Sequence, residues 1–314
     1  MSLILPAGFP AIERLRAEGI EVDTVSTADV CRQRSVRIAV LNLMPIKVDT
    51  ETDLVRVFSD TPYTVRLDWM KVESHVSKHT PQAHMDAFYR PFSAMATEHY
   101  DGFIITGGPL EQMEFEAVTY WPELQRIFDW AHTHVASTLY ICWAAQAGLY
   151  HFYGIRKYAV DAKIFGIFPH LKLHSECPSF RSVDDVFMVP HSRHTTLRRE
   201  DILACPELTL LSESDKPGVH LVMAGGGREF FVTGHSEYAI GTLDAEYRRD
   251  VSKGLPIALP EHYYRNDRPE EGPLLTWRSH GQTLYANWLK HYVVAGNLGK
   301  SWRTCKNLCL AKYL

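Results

Sequence analysis

The sequence predicts an α/β protein: a doubly wound, mainly parallel sheet with helices on both faces, extended by a β-rich second half. Three observations carry this expectation. Strand-like and helix-like runs alternate over the first 150 residues, which is the pattern of βαβ units. The central strands are continuous apolar runs rather than alternating ones, as expected of strands buried on both faces. From Val186 onward, strand-like runs follow one another with little helix between them.

Residues 1–34 read as an N-terminal extension packed on the core, with a short helix from Ala11 to Glu18. A single α/β domain is expected over 35–296, and a frayed basic tail over 297–314. The first core strand is Ser35 to Leu43. Met44-Pro-Ile-Lys47 ends it, and the cap-type and acidic residues from Asp49 open a helix to Phe58. Tyr63 to Trp69 alternates and reads as a strand nearer an edge. The polar, histidine-bearing stretch 73–84 reads as a surface loop, and a helix from Met85 should stop near Arg90, before Pro91. Tyr100 to Leu110 is a central strand ending in a Gly-Gly-Pro turn. Leu124, Ile127, Phe128, Ala131 and Val135 then fall at helical spacing, with Pro122 in the first turn. Thr138 to Ile141 is a strand that delivers Cys142. In the second half, strands are expected at Val186–Val189, Leu208–Leu211, Val219–Met223 and Glu229–Thr233, the last two joined as a hairpin by Ala224-Gly-Gly-Gly227. A surface loop over 255–274 and a closing helix from Thr283 to Val294 complete the reading.

Composition excludes several classes of function. A net charge of -4 does not supply the basic surface that binding a nucleic-acid backbone requires. No run approaches the roughly 20 apolar residues of a membrane span, and the N-terminus lacks the charged and apolar regions of a secretory signal. A cytoplasmic setting is the resulting expectation. The six cysteines are sparse and irregularly spaced, which suits a reducing compartment. Cys305 and Cys309 could share a helical face, but no second ligand pair is near them in sequence, so no metal is expected.

Chemistry concentrates at two strand ends. Leu139-Tyr-Ile-Cys-Trp-Ala-Ala-Gln-Ala-Gly-Leu-Tyr150 passes from strand to helix through a cysteine with no intervening loop, which reads as a nucleophile elbow. A helix N-terminus lowers the pKa of a thiol, and the thiolate is the nucleophile. The strand Glu229 to Thr233 ends in Gly234-His-Ser-Glu237, which places an imidazole and a carboxylate two residues apart, on one face if the chain is extended. Cys142, His235 and Glu237 therefore fit nucleophile, base and orienting carboxylate. These residues alone leave open whether Cys142 is simply a small buried hydrophobe and His235 a strand cap.

Several blocks taken together resemble the homoserine O-succinyltransferase family, within the class I glutamine amidotransferase-like superfamily. They are Asn42-Leu-Met-Pro-Ile-Lys47, Thr106-Gly-Gly-Pro-Leu-Glu111, Cys142 to Tyr150, Pro190-His-Ser-Arg-His194, Val232-Thr-Gly-His-Ser-Glu-Tyr238 and Thr276-Trp-Arg-Ser-His280, in that order. The resemblance implies ping-pong acyl transfer from an acyl-coenzyme A through Cys142 to the hydroxyl of L-homoserine. His235 would be the base, with Glu237 orienting it. Lys47, Gly107, Gly108 and Trp143 would support the oxyanion and acyl group. The family's acceptor-binding positions match Lys163, Ser192 and Arg249, with Glu246 placed to meet the amino group.

The position of Glu111 separates succinyl from acetyl users in the family. A glutamate there fills the pocket and repels the free carboxylate of succinate. The expected donor is therefore acetyl-coenzyme A, as a co-substrate rather than a bound cofactor, with succinyl-coenzyme A as the alternative. The family also implies a homodimer. Gly108, Ala144 and Ser236 depart from the family's usual residues, and none of them is a reacting group. Two other readings remain open: a glutaminase of the same superfamily, disfavoured by Ile141 and Ala144 where such enzymes usually carry glycine, and a non-enzymic binding protein.

Overall fold

The computed structural model describes residues 3–25, 35–75, 77 and 79–296; Cys305, Cys309 and the expected tail lie outside the described residues. Among these residues, twelve strands form one sheet. They are β1 (Leu3–Pro6), β2 (Asp23–Val25), β3 (Val36–Leu41), β4 (Val65–Lys71), β5 (Tyr89–Pro91), β6 (Tyr100–Ile105), β7 (Val135–Ile141), β8 (Tyr158–Lys172), β9 (Val186–Thr196), β10 (Leu208–Ser214), β11 (Gly218–Ala224) and β12 (Glu229–Val232). The order is β2-β1-β4-β3-β6-β7-β12-β11-β10-β8-β9, with β5 also pairing β4. Strands β2 through β12 in that order are parallel, and the remainder, from the β12–β11 pair to β8–β9, is antiparallel.

The helices are α1 (Ala11–Ala17), α2 (Lys47–Val57), α3 (Gln82–Phe88), α4 (Trp121–His134), α5 (Trp143–Tyr153), α6 (Arg199–Leu203), α7 (Thr242–Ser252) and α8 (Arg278–Trp288). Two cores lie on opposite faces of the parallel half. Along β3, Ile38 and Val40 join one core, with Leu54 and Val55 of α2 and Trp288 of α8. Ala39 and Leu41 join the other, with Leu124 and Phe128 of α4 and Leu149 of α5. Alternation between two buried faces explains why this strand reads as an unbroken apolar run.

The N-terminal segment differs from its expected place over the core. β1 pairs in parallel with β4, so this segment extends the sheet itself, and β4 is an interior strand rather than one near an edge. Apolar residues settle this: Leu3, Ile4 and Leu5 are buried and supply a strand that the short run alone did not announce. The stretch expected as a loop up to residue 84 runs into α3, where His84 binds Glu51. The long strand β8 has no counterpart in the sequence reading, because its exposed first half carries Asp161 and Lys163 and lacks an apolar period. The loop over 255–274 lies against β8 at Gly166, whose φ of +145° and contact with the Glu261 backbone leave no room for a Cβ.

Candidate active site

β7 lies between β6 and β12, so its carboxyl end opens at the middle of the sheet's functional edge. Cys142 follows it with φ 55° and ψ −115°, and α5 starts at the next residue. A non-glycine residue with positive φ costs on the order of 1–2 kcal/mol, a strain held here by a bond from the Cys142 N–H to the Val232 carbonyl at 2.7 Å. The turn after β6 packs against Cys142. A Cβ at Gly107 would lie 3.0 Å from the Cys142 Cβ and 3.6 Å from its Sγ. Gly108 lies against the Leu43 carbonyl, and the Leu43 N–H donates to Thr106 Oγ1 at 2.7 Å, which ties the ends of β3 and β6 together. Trp143 is fully buried at the first position of α5, where backbone N–H groups have no helical partner.

His235 and Glu237 come from the neighbouring strand end. Their contact, Nδ1 to Oε1, is 2.7 Å, and both side chains are buried. They lie in a turn rather than on extended chain, since the Tyr238 N–H returns to the His235 carbonyl; the turn, not strand alternation, brings them together. Tyr285 of α8 donates to Glu237 Oε2 at 3.3 Å, and the Tyr238 ring stacks on His235 at 4.1 Å. Burial works against a charged imidazole, yet the His235 pKa is raised well above its ordinary value by the charges of Cys142 and Glu237 and by hydrogen bonds to both. With Nδ1 committed to Glu237, Nε2 is the nitrogen left for Cys142. The imidazole is thus held between the thiol of Cys142 and the carboxylate of Glu237.

A second group lies on β8, β9 and α7. Ser192 Oγ donates to Glu246 Oε2 at 2.5 Å, and Lys163 Nζ lies 3.4 Å from the same oxygen and 3.8 Å from Asp250 Oδ2. Arg249 Nε pairs with Asp250 Oδ1 at 2.7 Å and is half exposed. Asp250 was not singled out from sequence, although its i,i+4 spacing from Glu246 on one helix puts both carboxylates on the same face. Tyr238 joins this group to the triad: its pKa is raised by burial first, then by Glu246, Cys142 and Glu237.

Glu111 is half-buried in the same region. Burial raises its pKa, opposed by the His194 N–H and by the charges of His194, Lys163 and Arg193. Lys157 fixes the loop by donating to the carbonyls of Glu111 and Met113, each at 2.5 Å. Lys47 stands apart. Its ammonium donates to the Asn42 carbonyl, with no hydrogen bond to Cys142 among the described residues. Burial lowers its pKa to about 8, against the pull of Glu51. Glu51 is fully buried and accepts from Tyr89 Oη at 2.6 Å and His84 Nε2 at 2.8 Å.

His170, His191 and His220 form a buried cluster that the sequence did not reveal, because its members come from three strands. Its protons are already assigned by neighbours. Arg193 Nε–H donates to His191 Nδ1 at 3.3 Å, so His191 carries its proton on Nε2 and donates to His170 Nε2 at 3.1 Å. His170 then donates from Nδ1 to the Phe168 carbonyl at 2.9 Å. Burial lowers the pKa of all three rings, which keeps them neutral. The lone pairs that a metal would need on His170 and His191 are taken by this chain of hydrogen bonds.

No helix among the described residues is long and apolar enough to cross a membrane. Known proteins resemble the chain both in sequence and in fold. The model of the homoserine O-succinyltransferase family matches residues 2–297. A homoserine O-acetyltransferase of Bacteroides fragilis is 61% identical over 293 residues, covering 93% of this chain and 96% of the relative. One of Bacteroides thetaiotaomicron is 60% identical over the same shares. Among solved structures, a glutamine amidotransferase from Thermotoga maritima superposes with a TM-score of 0.53 at 14% identity, covering 83% of this chain and 99% of that one, a likeness of fold alone. With its sequence matched almost end to end by the family's model, the chain belongs to the homoserine O-succinyltransferase family.

Proposed function

We infer that this protein is a homoserine O-acetyltransferase of methionine biosynthesis, and that Cys142 carries the acetyl group. The observation that carries the reading is the Cys142–His235–Glu237 constellation at a strained elbow, in a chain about 60% identical to proteins of that name. The Cys142 thiolate attacks the thioester carbon of acetyl-coenzyme A. The resulting oxyanion is held by the Trp143 N–H, an N–H of the Gly107–Leu110 turn and the Lys47 ammonium. Collapse breaks the bond to the coenzyme A sulfur, which takes the proton from His235. In the second half, His235 accepts the proton of the homoserine hydroxyl as its oxygen attacks the acetyl carbon, and the Cys142 thiolate leaves.

Arg249 matches the carboxylate of homoserine, Glu246 its ammonium, and Ser192 and Lys163 hold Glu246 in place. Glu111 supports the choice of acetyl over succinyl, because a second carboxylate beside it and away from bulk water is unfavourable. Coenzyme A enters as a co-substrate, with no resident cofactor. A homodimer follows from the family resemblance. A reducing, cytoplasmic setting suits a working thiol, and Cys142, Cys177 and Cys205 are free.

Intact-protein mass spectrometry after mixing with acetyl- or succinyl-coenzyme A, without acceptor, tests the reading. The expected result is one acetyl group on Cys142, discharged by L-homoserine. Ammonia release from glutamine with no acyl adduct would instead make the protein a glutaminase. At the donor pocket, Glu111→Gly should move the ratio of kcat/KM for succinyl over acetyl donor upward by about tenfold or more; a donor preference left unchanged would remove Glu111 from that role.

A further inference from the structure

Arg193 lies on β9 and is 1% exposed. A guanidinium buried to that degree is costly unless paired, and removing it from water without a counter-ion costs several kcal/mol. All its hydrogen bonds go to uncharged acceptors: His191 Nδ1 at 3.3 Å, the Thr195 carbonyl at 2.5 Å and the Pro217 carbonyl. Among the described residues it forms no ion pair. A charge kept in such a place is unbalanced locally, so its field acts on whatever anions the fold brings near.

The chain around Arg193 shows which anions those are. Ser192 reaches Glu246. The His194 N–H reaches the Glu111 carboxylate. Thr195 Oγ1 donates to Gln146 Oε1 at 2.8 Å, and the Gln146 N–H returns to the Cys142 carbonyl at 3.3 Å, so β9 is fastened to the first turn of the elbow helix. Burial lowers the Arg193 pKa to about 10, and the two anions that oppose this are Cys142 and Glu111. The other titratable groups in this nest are His170 on β8, His191 on its own strand, His220 on β11 and His235 at the end of β12. The first three are held neutral by burial, and His235 is committed to Cys142 and Glu237.

We propose that Arg193 is a positioning residue for the transfer centre: its buried guanidinium, free of any carboxylate partner, supplies the fixed positive field that keeps Cys142 a thiolate and Glu111 ionised. It acts through these two groups and need not touch substrate. The proposal rests on Cys142 being the nucleophile but not on the identity of the acyl donor, so it is tested without one.

The test is alkylation of Cys142 by iodoacetamide as a function of pH, followed by peptide mass spectrometry so that the other cysteines do not interfere. Arg193→Gln keeps hydrogen-bond donors and removes the charge, and should raise the midpoint of Cys142 alkylation by about one pH unit. Arg193→Met, of similar length and without charge or donor, should raise the midpoint by the same amount. A folded Arg193→Gln protein with an unshifted midpoint overturns the proposal. If Arg193→Gln does not fold, Arg193→Met decides: a midpoint raised by about one unit supports the field, and an unshifted one overturns it. Failure of acetyl-coenzyme A to load Cys142 would count against the acyltransfer reading and leave the alkylation result standing by itself.

Discussion

At the scale of single residues, the site is set by which charges are buried together. Cys142, His235 and Glu237 are all buried, with His235 Nδ1 and Glu237 Oε1 2.7 Å apart, where Coulomb interactions are stronger than at the surface. Lys47 illustrates the converse. It has a buried carbonyl as partner and Glu51 one helical turn away, and burial brings its pKa down to about 8. Below that pH it is an ammonium and can steady an oxyanion; above it the proton is lost and so is the donor charge. Turnover should therefore fall on the alkaline side with a limb near pH 8. Lys47→Arg, which keeps its charge at all accessible pH, should abolish that limb in whatever activity remains. A limb that persists unmoved in the pH–rate profile of Lys47→Arg would assign it to another group.

At the scale of elements, α2 and α8 act as clamps on the turn that carries His235 and Glu237. Asp53 of α2 is buried against Arg56 at 2.7 Å and accepts from the Ala239 backbone, two residues beyond Glu237. Burial raises the Asp53 pKa to about 7 in spite of Arg56, so this second carboxyl adds less negative charge beside Glu237 than a fully ionised one would. On the other side, α8 approaches so closely that a Cβ at Gly281 would lie 2.4 Å from the Ser236 carbonyl. Gly281→Ala should cost about 1–3 kcal/mol through overpacking, read as a lower urea midpoint, and should lower kcat because the displaced residue lies between His235 and Glu237. Gly241→Ala, where nothing lies within 4 Å, is the matched control and should change neither. Equal behaviour of the two variants would show that the helix contact does not hold the turn.

At the scale of the whole molecule, the sheet joins a parallel half, whose strand ends carry Cys142 and His235, to an antiparallel half, which carries Lys163 on β8 and Ser192 on β9. The N-terminal segment belongs to this single body. Phe9 stacks on Trp69 with ring centroids 5.7 Å apart, and Glu18 grips Arg56 through two bonds of 2.7 Å. Glu18, Arg56 and Asp53 thus form a continuous chain from the segment to the turn that carries His235 and Glu237. Deleting residues 1–25 should lower the thermal unfolding midpoint by roughly 10 °C or more, since several fully buried apolar side chains and this chain of ion pairs are lost together. An unchanged midpoint in calorimetry would make the segment a dispensable appendage.

The sequence by itself determined the alternation of strands and helices in the first half, the elbow at Cys142, and the imidazole and carboxylate at residues 235 and 237. Each is a local property: apolar period, helix signals and short spacing act over a few residues and can be read along the chain. Only the tertiary structure decided which strands are neighbours. It put β12 directly beside β7, drew Leu3–Pro6 into the sheet, and folded His235 and Glu237 together by a turn where alternation along a strand was the expected cause. It also brought Asp250, Glu51, Asp53 and Arg193 into the account. None of these announces itself in sequence, because what distinguishes them is burial beside charges from other elements, and burial and long-range electrostatics exist only once the chain has closed on itself.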